Sequence, residues 1–226
     1  MTQSSPVIDY FRSEISLGRL SPGQKLPAEP RLCEQLSVSR GVLREALREL
    51  QGYGLIEVKH GSGTYVSSLQ PSELLKGLAF TVDVVPLDGL IELLEIRKAL
   101  EAQAAAQAAT LADEELVFRL RGLLAEMEVP ASADREHKQD LDEEFHALIC
   151  DAAGNKSAAT IAQVIRSRSR HYNMIANADA ALESLIGHRA IVRAIVEHDA
   201  LGAMSAMHSH VDSTSLWLRT IKPEPN

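Results

Sequence analysis

No stretch of this sequence is apolar for the roughly 20 residues that cross a bilayer as a helix, so a helical membrane protein is not expected. The opening residues MTQSSPVIDYFRSEI lack a basic segment followed by an apolar one, the pattern of an export signal. Only two cysteines are present, Cys33 and Cys150, far apart and without the paired spacing of a disulfide framework or a cysteine metal site. They are read as buried thiols of a protein in the reducing cytoplasm. Aromatic residues are scarce at 4%, whereas Ala-, Leu- and Glu-rich stretches dominate after residue 70. A mainly α chain is therefore expected. Positive charge is also in short supply. With 23 Lys+Arg against 31 Asp+Glu the net charge is -8, which at first sight argues against a nucleic-acid partner.

The distribution of charge removes that objection. Residues 1–66 carry a net +1 and the remainder -9, so the two parts must be judged separately. In the first part Val7, Ile8, Phe11 and Ile15 recur at helical spacing, and Gly18 ends that helix. "LSPGQKLP" turns and extends, "AEPRLCEQLSV" makes a short helix, and Ser39 is placed to cap a third helix from Arg40 to Gln51. That helix buries Val42, Leu43, Ala46, Leu47 and Leu50 and projects Arg40, Arg44 and Arg48 along another line, four residues apart. "GLIEVKHGSGTYV" then reads as a hairpin with a Gly-rich turn.

Three helices and a hairpin form a winged helix-turn-helix. The third helix fits a DNA major groove, its arginines can bond guanine bidentately, and Gly turns let the backbone approach phosphates. His60 and Thr64 on the wing would meet the DNA backbone or minor groove. The alternative is a solvated helix whose arginines pair with Glu45 and Glu49. The run "LPAEPRLCEQLSVSRGVLREALRELQGYGLIEVKHGSGTYV" closely resembles the DNA-binding domain of the GntR family of bacterial transcription regulators. That resemblance implies DNA contacts by Ser39, Arg40 and Arg44 on the recognition helix and by His60 with Gly61 on the wing. The family's usual Arg after the Glu of "LP-E" is here Pro30, with Arg31 next in line as its stand-in.

The second part reads as an all-α helical bundle. Amphipathic segments run over about 88–110, 113–129, 134–153, 157–177, 181–199 and 200–219, broken near Asp113, Pro130, Gly154-Asn155 and Asp179. Several polar residues fall on inward faces. His210 sits among Ala203, Ala206, Met207, Thr214, Trp217 and Leu218, and His188 lies amid Leu185, Ile191, Val192 and Ile195. Asp142 and His146, one turn apart, flank the stripe of Leu141, Phe145, Leu148 and Ile149. Any one of these could be a hydrogen-bonded core residue. Together, three imidazoles and a carboxylate are costly to bury apart, and one divalent metal ion satisfies them all. Zinc is the first expectation for this N/O set, with nickel or manganese as alternatives. Arg97 and Glu101 share the inward side of the first bundle helix, so Arg97 either grips a ligand carboxylate or forms an ion pair with Glu101. Asn155 reads first as a helix boundary and second as an effector contact. Arg166, Arg168 and Arg170 read as a solvated face, and His137, His171, His198 and His208 as surface or structural residues.

Through "LLEIRKALEAQAA", "DEEFHALICDAAGN" and "HRAIVRAIVEHDALGAMSAMHSH" this part resembles the FCD-type effector domain of the FadR branch of the same family. The resemblance implies Asp142, His146, His188 and His210 as metal ligands, Arg97 as a pocket residue, a homodimer and a small carboxylate effector. The expected organisation is a head over 1–68, a connecting segment over 69–80, an effector-binding and dimerisation domain over 81–220 and a tail over 221–226. The expected function is a cytoplasmic repressor that binds double-stranded operator DNA under control of that acid. A metal-responsive regulator and a metal-dependent enzyme are the rival readings.

Overall fold

A computed structural model describes residues 4–75, 77–129, 135–172 and 178–222. The chain divides into two compact units, Met1–Gly77 and Leu78–Asn226, a division that falls inside the segment 69–80. Pro130 and residues 173–177, where one expected helix break and one expected helix end lie, fall outside the described residues, as do residues 223–226 of the expected tail.

The first unit holds α1 (Ser5–Ser16), α2 (Glu29–Leu36), α3 (Arg40–Gly52), β1 (Ile56–Lys59), β2 (Gly63–Val66) and α4 (Pro71–Leu75). Proline stands in the first turn of α2, where its missing N–H costs no helical bond. Ser37, in the left-handed region at φ 53°, stops α2, and the Ser39 side chain accepts from the Val42 N–H to start α3. The two strands pair antiparallel from Ile56 opposite Val66 to Lys59 opposite Gly63. Their turn needs glycine: Gly61 and Gly63 have φ of 72° and 129°. The extended piece before Pro27 adds to the hairpin, with Leu26 N–H donating to the Thr64 carbonyl at 2.8 Å. Phe11, Leu32, Leu43, Leu50, Ile56 and Val66 close one core beneath these elements.

From the division onward, α5 (Gly77–Val82) leads to α6 (Leu87–Leu111), α7 (Glu114–Met127), α8 (Arg135–Ala152), α9 (Lys156–Ser169) with a 3-10 turn at Arg170–Tyr172, α10 (Ala178–Val196) and α11 (Ala200–Ile221). Asp113, Asn155 and Asp199 cap α7, α9 and α11 by accepting from Leu116, Ala158 and Gly202 N–H. α6 is the spine: it packs against α8, α9, α10 and α11. Its buried alanines, Ala102, Ala104, Ala105, Ala106, Ala108 and Ala109, leave room for those neighbours to approach. α10 stops at Val196 rather than at the expected 199, because His198 turns left-handed (φ 54°), its Nδ1 3.0 Å from the Ala109 carbonyl oxygen.

One expectation is corrected here. Arg166 and Arg168 are not on a solvated face; both are buried, at 4% and 7% exposure. Their long side chains reach polar partners inside the bundle. Arg166 Nη1 lies 3.5 Å from Glu101 Oε1, and Arg168 donates to the Val85 carbonyl at 3.0 Å and to the Tyr172 hydroxyl at 3.1 Å. Arg170 is partly exposed and pairs with Asp140 and Glu143.

Leu50 is fully buried and Phe118 is 75% exposed. Leu50→Ala should therefore destabilise the first unit by about 2–5 kcal/mol, and Phe118→Ala should change stability by no more than about 0.5 kcal/mol. Denaturant titrations of the two variants against the parent check this contrast.

Candidate metal centre and DNA-reading head

Three helices bring the four expected ligands together. α8 supplies Asp142 and His146 from successive turns, α10 supplies His188 and α11 supplies His210. One donor atom from each lies within 4.8 Å of all the others. His146 Nε2 is 3.2 Å from His210 Nε2, and His188 Nε2 is 3.2 Å from Asp142 Oδ1. His146 Nε2 and Asp142 Oδ1 are 3.9 Å apart. Tetrahedral ligands held at about 2.1 Å from zinc stand about 3.4 Å from one another, so these spacings suit a divalent ion. The polar accounting points the same way. His188 Nε2 is buried with no directed hydrogen bond among the described residues; the nearby Asp142 oxygen is close but off the ring N–H direction. Such atoms cost free energy unless something compensates them. Phe145 packs against the His188 ring, with centroids 4.6 Å apart, and limits its rotation.

Gly187 is part of this geometry. A Cβ there would stand 2.5 Å from His210 Nδ1 and 3.1 Å from its Cβ and Cγ. Only a residue without a side chain lets the His210 ring lie against α10.

Behind the ligands, Glu101 is fully buried. Its Oε1 accepts from Arg97 Nε at 3.0 Å, and Arg166 approaches the same oxygen. Its Oε2 lies 2.8 Å from His146 Nδ1, close but not in line with the ring N–H. Burial acts against the charged form of Asp142, but the adjacent His188 and the charges of His210 and Arg97 outweigh it and hold the carboxyl well below its usual range. His210 is pushed down to about 3, first by burial and then by His188. A neutral imidazole is the form that binds metal. Burial, with Glu101 nearby, pushes the Cys150 thiol up to about 12, which leaves it unreactive.

The cluster opens on a cavity of about 280 Å³. Asp142, His188 and His210 line it together with Arg97, Arg166 and Arg170, and Met127 and Leu185 supply apolar wall. Arg97 is thus both things that the sequence left open, an ion-pair partner of Glu101 and a cavity residue. Asn155 is exposed, caps α9 and does not line the cavity. The charges of Arg97 and Arg166 balance those of Glu101 and Asp142. A divalent ion would add positive charge to this balanced set, which favours an anionic ligand. Glu101 was flagged in the sequence only as a partner for Arg97; its contact with His146 joins two helices and has no local signal. Arg166 had none either.

In the head, Ser39 is committed to its cap, while Arg31, Arg40, Arg44 and Arg48 are exposed. Arg44 pairs at 2.9 Å with Glu29 of α2, rather than with Glu45 or Glu49 as in the alternative reading of a solvated helix. His60 and Gly61 form the exposed turn and Thr64 is half-buried on β2. A groove of about 590 Å³ is lined by Glu29, Lys25 and residues 59–64 of the hairpin.

A winged helix-turn-helix unit and an all-helical unit with a buried His/Asp cluster define a class of two-part regulators. Comparison with known proteins agrees. Residues 3–66 match the model of bacterial regulatory proteins of the gntR family, and residues 92–213 match the FCD domain. The Uxu operon transcriptional regulator of Escherichia coli K12 is 31% identical over 202 residues, which cover 85% of this chain and 77% of that protein. HTH-type transcriptional regulator LutR of Bacillus subtilis is 35% identical over 142 residues, 63% of this chain; the match spans 64% of LutR, just under two thirds of its length. Among solved structures, Streptococcus agalactiae GntR superposes with a TM-score of 0.61 at 30% identity, covering 95% of this chain and 99% of that one. The chain belongs to the gntR family, whose members are DNA-binding transcription regulators, and carries an FCD domain as its helical half.

Gly187→Ala should displace the His210 ring and weaken zinc binding by at least tenfold with helicity unchanged; a chelator-competition titration that returns the parent affinity would refute the role of this glycine. In metal-free protein, His210 stays neutral down to about pH 3 against an ordinary value of 6.5. The unfolded chain then binds more protons than the folded one between those limits, so stability falls as pH drops from 6.5 toward 3. Asp142 adds a loss at more acidic pH, below its ordinary 3.8. Thermal melts in chelator across that range should show Tm falling with pH, and a flat profile for His210→Phe over the upper half of it.

Proposed function

We propose that this chain is a homodimeric transcription regulator of the cytoplasm, a repressor, whose affinity for double-stranded operator DNA is set by a small carboxylic acid bound beside a divalent metal ion. The observation that carries this reading is the joining of a four-residue ligand cluster to a cavity walled by Arg97 and Arg166. When bound, the ion would supply a Lewis-acid anchor for a carboxylate or hydroxyl oxygen of the effector. Asp142, His146, His188 and His210 would hold it, with zinc the first choice and nickel or manganese the alternatives. Arg97 presents fixed guanidinium donors to the acid. The apolar wall at Met127 and Leu185 suits a short carbon chain. In the head, Arg40 and Arg44 would read base edges, Ser39 and Arg31 would meet phosphate, and His60, Gly61 and Thr64 would follow the backbone beside the groove. Two copies would match a two-fold operator. Regulation requires that the acid bind the DNA-competent and DNA-incompetent states unequally.

The test uses operator fragments selected from genomic DNA by the full-length protein, with anisotropy as the readout. Arg44→Ala should weaken specific binding by about 1–3 kcal/mol while keeping metal and acid binding. His188→Ala should keep DNA binding and lose both zinc and the response to a panel of short hydroxy and dicarboxylic acids. Zinc alone altering operator affinity, with every acid silent, would replace the acid by the metal as signal. Chelator-sensitive turnover of those acids would instead support a metal-dependent enzyme.

A further inference from the structure

The carboxylate of Glu101 does not line the cavity, yet it touches both halves of the candidate site. Its Oε1 accepts from Arg97 Nε at 3.0 Å, with Arg166 Nη1 at 3.5 Å. Its other oxygen, Oε2, has no directed hydrogen bond among the described residues, and neither has His146 Nδ1; the two atoms are 2.8 Å apart, with both side chains fully buried. Each is therefore the other's remaining partner. A carboxylate oxygen accepts, so the attractive arrangement puts the imidazole proton on Nδ1. That leaves the lone pair on Nε2, the atom that faces His210 Nε2 across 3.2 Å within the ligand cluster.

We propose that Glu101 is the positioning residue of this centre. It fixes His146 in the Nδ1–H tautomer, with Nε2 ready to ligate, and through its second oxygen it anchors Arg97 at the cavity wall. Metal ligand and anion-gripping arginine thus depend on one carboxylate. The inference rests on reading Asp142, His146, His188 and His210 as a metal site. A glutamine at this position can accept at only one of its two ends. If its oxygen keeps the arginines, its NH2 faces His146 and drives the ring proton to Nε2, where it blocks ligation. If it turns over, the NH2 faces two guanidinium groups.

Zinc affinity of the full-length protein, measured by competition with a chromophoric chelator, should fall roughly 10–100-fold in Glu101→Gln, with far-UV circular dichroism unchanged. The visible spectrum of the cobalt-loaded variant should also differ from the parent's. Glu95→Gln, an exposed acid on the same helix, should leave both unchanged. A measurement on the parent protein covers a variant that fails to fold: nitrogen-15 histidine spectra of metal-free protein should show His146 protonated at Nδ1 and bare at Nε2. A parent His146 protonated at Nε2, or a Glu101→Gln variant that binds zinc as tightly as the parent, overturns the inference and leaves the metal site standing. A parent protein with no zinc affinity overturns both.

Discussion

Burying an ionisable side chain among helices costs several kcal/mol unless a partner compensates it, and the second unit buries three imidazoles, two arginines and a glutamate close to one another. That constraint organises the bundle. The alanine face of α6 lets its neighbours close around the polar centre. Arg97 and Arg166 are answered by Glu101, and Asp142 holds its charge against the surrounding rings. What remains are three imidazoles and a carboxylate whose donor atoms all lie within 4.8 Å of one another. A divalent ion is able to engage three ring nitrogens and a carboxylate oxygen at once.

Much of this was legible in the sequence, for a physical reason. Helical phase reports which side of a helix a residue occupies, and a His or Asp on an apolar stripe breaks an otherwise consistent pattern. Asp142 with His146, His188 and His210 were visible that way, as were the Ser39 cap and the glycine-bearing hairpin. Phase does not report how far a side chain reaches or which helix it meets. Arg166 and Arg168 alternate with serines in a pattern that looks solvated, yet each has an acceptor contributed by a residue far away in the chain. The Glu101–His146 contact and the Arg44–Glu29 pair were hidden for the same reason, since both join separate helices. The end of α10 was missed because a left-handed His198 depends on a carbonyl of α6.

The acidic total of the chain and its basic reading helix are compatible because the charge is segregated. Residues 1–66 carry +1 and the rest -9, so attraction to phosphate is confined to one unit, and the acidic remainder opposes nonspecific adhesion. Within the head, Arg44 of α3 is engaged by Glu29 of α2: the two lie 2.9 Å apart, with side chains 61% and 38% exposed. At that exposure an ion pair contributes no more than about 1 kcal/mol. A bidentate contact with guanine discriminates by about 1–3 kcal/mol. If Arg44 reads a base as proposed, exchanging one partner for the other costs less than it returns at a correct base.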